Sequence, residues 1–447
     1  MSIPRVLIAP THRTGLADAI AATVAEIATN RGQTVRYHHL GPLSPGACWD
    51  RWEGAAFIDP ALYEQDALLG LYDVATRGAT LSLLSSTCGL LDRQDGVAWL
   101  PVDVARLLDC PVVVLIDCRG WGTGVRALVS GLRSHLAGLN LAAAILSGVS
   151  DREHLALLRQ VLAEENLPVV GCFYDGDGPG WDTAPPGAWG LPLESTLLEA
   201  VYRQVDTDGL VSVAGQRGFL SWQSWLTDRG ADGPVVAVAG GKGFTPWSRD
   251  SIEVLRSAGA DVRRLDLLEH TELPPGTAGL ILAGTLWPGA LADIAMNVPL
   301  LRALRERIED GLPTLALGGG MLTLVERVHD SLGRRADLAG VVPGSAEILW
   351  DLEEPAYVRL VAEQDNLLTA EGEALTGWVL TETEVAGPGD GWGSPLSVVE
   401  GEGEARRPES AAAGSLLCSR VLMHLAATPD MGSRFVRRCA AYAATRL

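Results

Sequence analysis

Three stretches of this chain carry aliphatic and β-branched residues without polar alternation: Pro111–Asp117, Leu141–Leu146 and Thr314–Leu317. A strand with one wet face alternates apolar and polar side chains, so strands lacking that alternation are covered on both faces. Such strands belong to parallel sheets flanked by helices, which restricts the chain to an α/β architecture. The surrounding pattern agrees. Arg5–Ala9, Gln33–His39, Thr80–Ser85 and Leu167–Gly171 read as further strands, and Leu16–Thr29, Val102–Leu108 and Glu153–Glu165 as helices between them. Strand and helix alternate, as in a doubly wound sheet.

At 447 residues the chain is too long for one core. Asp228–Pro234, Asp-Arg-Gly-Ala-Asp-Gly-Pro, reads as a linker, so domains are expected over 1–228 and 234–447. Beyond it the α/β pattern restarts: strands Val235–Ala239, Asp261–Asp266 and Gly279–Ala283, helices Ser248–Ala258 and Val298–Glu309. The Gly-, Pro- and Asp-rich residues 175–195 and the apolar-poor residues 386–408 read as loops, and Gly414–Ala427 and Gly432–Thr445 as closing helices. A net charge of −20 argues against a nucleic-acid partner. No long uncharged apolar run offers a membrane span, and the first residues lack a signal-peptide profile, so a cytoplasmic location is expected. The seven cysteines, 48, 88, 110, 118, 172, 418 and 439, lack zinc spacing and read as free thiols.

Thr314–Leu317 runs into Gly318-Gly-Gly320 and a new apolar segment. A tight strand-to-helix turn is where many α/β enzymes mount a nucleophile. Here the apex, Gly318, has no side chain to offer.

The order of these pieces resembles the cobyrinic acid a,c-diamide synthase family, in which an ATP-dependent synthetase domain is fused to a glutaminase domain of the triad class. The resemblance is carried by Phe57-Ile58-Asp59-Pro60, by the helix-strand-Asp segment Val102–Asp117, and by Ser251–Gly320 with its Gly284-Thr-Leu-Trp-Pro288 turn, Asn297 and glycine elbow. It implies an N-terminal P-loop-like, doubly wound parallel sheet domain and a C-terminal class I glutaminase-like α/β domain. ATP, Mg²⁺, glutamine and an acidic tetrapyrrole are the implied ligands.

Residue by residue, the resemblance also implies losses. The phosphate loop corresponds to Ala9–Asp18, where Thr11 and Gly15 match but the lysine position falls near Ala17; Lys242 is the only lysine in the chain. Arg13, beside His12, supplies a positive charge, and the turn serves either as an altered phosphate site or as a plain connection. The family's second acidic motif appears as Ser85–Asp92, keeping Asp92 but with Ser85 in place of a glutamate. Asp92 and Asp117 are the carboxylates left for Mg²⁺. Asp59 is a cap or a pocket residue. Ser147-Gly148-Val149 lacks an asparagine near the nucleotide base, and Gly240–Thr245 reads as a turn more than a phosphate loop.

The elbow cysteine corresponds to Gly318, and the histidine pair falls in Gly377–Thr383, lost around Trp378–Thr381. His424 reads as lying in a C-terminal helix, outside the triad. Losing nucleophile and base together removes covalent catalysis. Three functions follow: an active ATP-dependent amidotransferase, fed with external ammonia if the glutaminase is dead; a noncatalytic binder of a tetrapyrrole or a partner enzyme; or a structural subunit, including a homodimer. Thirteen tryptophans, among them Trp222, Trp225, Trp247 and Trp287, could stack on a macrocycle or an interface.

Overall fold

A computed structural model of the chain describes residues 3–41, 55–92, 99–135, 137–176, 195–216, 220, 226, 232–241, 244–246, 249–286, 290–330, 333–349, 356–379, 382–385, 391–399, 405–428 and 430–446. The chain forms two compact units, one of Met1–Ala61 with Leu68–Ser224 and one of Leu62–Ala67 with Trp225–Leu447. Lys242, the four tryptophans named above and most of residues 175–195 lie outside the described residues.

Up to residue 214 the elements are β1 (Arg5–Pro10), α1 (Leu16–Asn30), β2 (Val35–Leu40), β3 (Ala55–Ile58), α2 (Gln65–Ala75), β4 (Leu81–Ser86), α3 (Pro101–Leu107), β5 (Val112–Asp117), α4 (Val125–His135), β6 (Leu141–Val149), α5 (Arg152–Glu164), β7 (Val169–Tyr174), α6 (Ser195–Gln204) and α7 (Thr207–Ala214). The seven strands form one sheet in the order β3-β2-β4-β1-β5-β6-β7, every pair parallel. Val112–Ile116 are at most 2% exposed, as their unbroken apolar run requires. Alanines let α1 lie close on β2 and β4, and its Ile20 and Val24 are almost wholly buried. Each contributes about 1.5–3 kcal/mol of transfer free energy. The chain steps outward from β1 to β3, returns through β4, then crosses β1 to β5. That reversal opens a crevice at the carboxyl ends of β1, β4 and β5.

The second unit continues with β8 (Val235–Ala239), β9 (Phe244–Pro246), α8 (Arg249–Ser257), β10 (Asp261–Leu265), β11 (Thr277–Leu286), α9 (Ala290–Met296), α10 (Val298–Glu309), β12 (Thr314–Gly318), α11 (Gly319–Leu322), β13 (Val325–Asp330), β14 (Arg335–Asp337), β15 (Val342–Leu349), β16 (Ala356–Ala362), β17 (Ala374–Val379), β18 (Glu382–Val385), β19 (Leu396–Val399), β20 (Arg406–Pro408), β21 (Ser410–Ala413), β22 (Leu416–Ser419), β23 (Leu422–Met423) and α12 (Met431–Ala444). Its main sheet, β10-β8-β11-β12-β22-β21, is parallel except for the last pair, with β9 antiparallel on β11. Two antiparallel-rich sheets, β14-β13-β15-β18 and β20-β19-β16-β17-β23, complete it.

Two readings of the sequence fail here. Residues 386–408 are not all loop: β19 pairs with β16 and β20, and Leu396 and Val398 are buried. Gly414–Ala427 is not a helix but holds β22 and β23. Leu416, Leu417 and Cys418 pair along β12, and a short apolar run suits either period until a partner strand selects one. The helix expected after the glycine turn is a single turn, α11, and β3, α2 and α4 were not legible in the pattern.

Candidate functional site

The turn from β1 to α1 sits at the crevice. Two of its backbone N–H groups are already committed: Thr11 donates to the Leu115 carbonyl (2.9 Å) and Thr14 to that of Thr87 (3.0 Å). The Leu16 N–H is taken by Thr14 Oγ1 at 3.2 Å. A phosphate cradle relies on such groups facing outward. Leu90 donates to the Pro10 carbonyl (2.8 Å), folding the loop after β4 over the end of β1, and the Asp92 carboxylate lies against Gly89.

His12 is exposed, with Nδ1 3.3 Å from Thr11 Oγ1 and Nε2 4.0 Å from Asp117 Oδ2. At the end of β5, Arg119 clasps Asp117, its Nε 3.0 Å from both carboxylate oxygens. Partial burial opposes ionisation of Asp117, but the hydrogen bonds and charge of Arg119, helped by His12, outweigh it and hold the carboxyl below its usual range. This pair lies across Gly148 (φ 64°): a Cβ there would meet Arg119 Cγ at 2.5 Å and Asp117 Oδ1 at 2.8 Å. The stretch the resemblance puts beside a nucleotide base is therefore covered by the Arg119 side chain.

Thr11, His12, Asp92 and Asp117 thus share one end of the sheet. Exposed Arg13 belongs with them, its charge acting on the half-buried Cys88 thiol. Gly15 is the N-cap residue of α1, at an ordinary φ of −77°. Asp59 lies at the same end of the sheet but near its β3 edge. It follows β3, four strand spacings from β5, roughly 19 Å across the sheet. Its carboxylate accepts from the Ala61 N–H (2.9 Å) and is 1% exposed.

The sequence reading overlooked His39, on whose imidazole the charge of Asp59 acts. His39 ends β2, its Nδ1 3.0 Å from Asp18 Oδ2 in the first turn of α1. Ser85 donates its hydroxyl proton to the other Asp18 oxygen, and the Tyr37 hydroxyl is 2.8 Å from Ser85 Oγ. The only signals in the sequence were the His38-His39 pair closing a strand and an acid in a helix's first turn. A carboxylate in that turn opposes a bound phosphate rather than holding it.

In the second unit the elbow forms as its sequence suggests. Gly318 closes β12 at φ 57°, ψ −125°, a conformation that only glycine adopts without cost, and α11 follows at once. The space beyond its Cα is filled. A Cβ at 318 would meet the Gly284 carbonyl at 2.8 Å and Leu422 Cδ2 at 3.0 Å. Leu422 pairs with Trp378 across β23 and β17, and Trp378 is wholly buried. Leu380 and Thr381 lie outside the described residues.

His424, two residues past Leu422, follows β23 rather than lying in a helix. It is fully buried against the Tyr63 ring (4.8 Å between centroids), and its Nδ1 accepts from the Ala426 N–H at 3.1 Å. Burial pushes its imidazole down to about 3, so it is neutral. Among the described cysteines, Cys110, Cys118, Cys172, Cys418 and Cys439 are buried free thiols and Cys88 is partly buried. No group of three or more potential metal ligands occurs among the described residues, and no described helix is long and apolar enough to cross a membrane.

No family model matches the chain. It is 28% identical over 463 residues to the hydrogenobyrinate a,c-diamide synthase of Thermobifida fusca, covering 97% of this chain and 96% of that one. It is 22% identical over 457 residues to the cobyrinate a,c-diamide synthase of Dehalococcoides mccartyi, covering 98% of each. A crystal structure of a glutamine amidotransferase aligns with 47% of the chain and all of its own length, at 18% identity and a TM-score of 0.34. The chain is a homologue, over nearly its full length, of proteins named cobyrinate and hydrogenobyrinate a,c-diamide synthase.

Proposed function

We propose that this homologue of the cobyrinate a,c-diamide synthases is noncatalytic, lacking glutaminase activity and binding ATP and Mg²⁺ weakly or not at all, and serves cobalamin-type tetrapyrrole metabolism as a binder of a tetrapyrrole or a partner enzyme. The observation that carries the reading is the filled elbow: Leu422 and the Gly284 carbonyl stand where a nucleophilic side chain at 318 would project. The β1–α1 turn supports it, with its internally used N–H groups, the Asp18 carboxylate, and no lysine.

The ligand site of this reading is the crevice bordered by Thr11, His12, Arg13, Asp92 and Asp117. Arg13 is the partner for a ligand carboxylate, through charge-assisted hydrogen bonds. The test is titration of the protein with cobyrinate, followed by tryptophan fluorescence, in wild type and Arg13→Ala. Saturable quenching is expected, weakened roughly tenfold by the substitution, the loss of one charged hydrogen bond of about 1.5 kcal/mol. Absence of quenching removes the tetrapyrrole site and leaves the partner enzyme, and an unchanged affinity in the variant removes Arg13 as the carboxylate partner. Amide formation from cobyrinate with ATP and ammonium would instead establish an active synthetase fed with external ammonia.

A further inference from the structure

The first unit contains a polar chain, buried at His39, Ser85 and Asp59 and partly exposed at Asp18, that the proposed ligand site does not use. His39 is 4% exposed and its Nδ1 lies 3.0 Å from Asp18 Oδ2. The remaining oxygen of Asp18 accepts from Ser85, whose Oγ is 2.8 Å from the Tyr37 hydroxyl. Asp59, 1% exposed at the end of the neighbouring β3, places a second negative charge close to the same imidazole. These groups come from α1, β2, β4 and the segment after β3, so the chain ties four elements together at the carboxyl edge of the sheet.

The partly exposed Asp18 and the buried Asp59 are both costly without a counter-charge, and hydroxyl donors alone leave the net charge in place. Two carboxylates facing one imidazole supply the field that keeps it charged. We propose that His39 is held as an imidazolium and acts as a pH-sensitive latch, fastening the first turn of α1, and with it the turn that carries Arg13, to the ends of β2 and β3. Among the described residues, the charges that act on it are those of Asp18 from α1 and Asp59 from beyond β3. Tyr37 of β2 and Ser85 of β4 join through the hydrogen bonds that end on Asp18. The charges of Asp18 and Arg13 both act on the Cys88 thiol.

The direction of the pH effect follows from the balance at His39. Burial works against the charged form, but the charge and hydrogen bond of Asp18, with the charge of Asp59, outweigh it, so the folded state holds the proton above the ordinary value of 6.5. The latch is fully present below about pH 6.5, where unfolded histidine is also protonated. It is lost as the pH rises through the folded-state value.

The deciding measurement is the midpoint of the His39 Cε1–H resonance in the folded, ¹³C-histidine-labelled protein, assigned by its loss in His39→Gln. A midpoint above 6.5 is expected; one at or below 6.5 overturns the latch. Denaturant unfolding of wild type and His39→Gln at pH 6 and pH 9 gives the second readout. Wild type should exceed the variant in stability at pH 6, with a gap that narrows by pH 9, whereas an equal gap at both would show a purely structural histidine. If the variant does not fold, Asp18→Asn supplies the assignment, because only the resonance of the histidine beside Asp18 should move its midpoint downward.

Discussion

Introducing a thiol at the elbow is the sharpest test of the proposal that this chain lacks glutaminase activity. In Gly318→Cys the backbone would have to hold φ 57°, ψ −125° with a side chain attached, at about 1–3 kcal/mol. The new Cβ would lie 2.8 Å from a backbone oxygen that has little freedom to retreat, and 3.0 Å from Leu422 Cδ2, adding about 1–3 kcal/mol of overpacking. The sum is a destabilisation of roughly 2–6 kcal/mol with no gain of activity. Leu422→Ala alone should cost about 2–5 kcal/mol, since Leu422 is 1% exposed. The double variant should be more stable than the two costs predict, because removing the leucine relieves part of the strain; a favourable coupling of about 1–2 kcal/mol is expected. Equilibrium denaturation of the four proteins measures the cycle, and glutamate release from glutamine measures the chemistry. An unperturbed Gly318→Cys protein, or one that hydrolyses glutamine, would refute the argument that Leu422 has closed the site.

Two further outcomes follow from the geometry. Calorimetric titration with ATP and Mg²⁺ should give no micromolar affinity, and a tight, Mg²⁺-dependent isotherm would revive the synthetase reading. In the second unit, Glu373 is held by Arg434 (2.7 Å from Oε1 to Nη2), whose hydrogen bond and charge outweigh the partial burial and keep the carboxyl below its usual value of 4.5. The pair's stabilisation, about 0.5–1 kcal/mol, is present above that value and lost as the pH falls through the folded-state value, so Glu373→Gln should differ from wild type at pH 7 and converge with it in acid.

The sequence by itself determined the parts whose information is local. Val112–Ile116 could only be a doubly covered strand, and the helix expected over Val298–Glu309 forms with those bounds, started by the Asn297 side chain and Pro299 in its first turn. Gly318 likewise announced a turn that needs no Cβ. Tertiary structure decided what depends on partners distant along the chain. Residues 416–423 are apolar enough for either a helix or a strand, and the open edge of β12, about a hundred residues earlier, made Leu416–Ser419 a strand. The emptiness of the elbow was legible in one glycine, but its closure was not, because Leu422 belongs to that same distant segment. Asp18 and His39 are unremarkable in the sequence, and nothing there pairs them with Asp59 or Ser85. Parallel strands reach their neighbours only through long crossovers, so these four meet at one sheet edge only after α1 and β2–β4 have packed. Charge and burial at that edge are properties of the fold, and no window of sequence contains them.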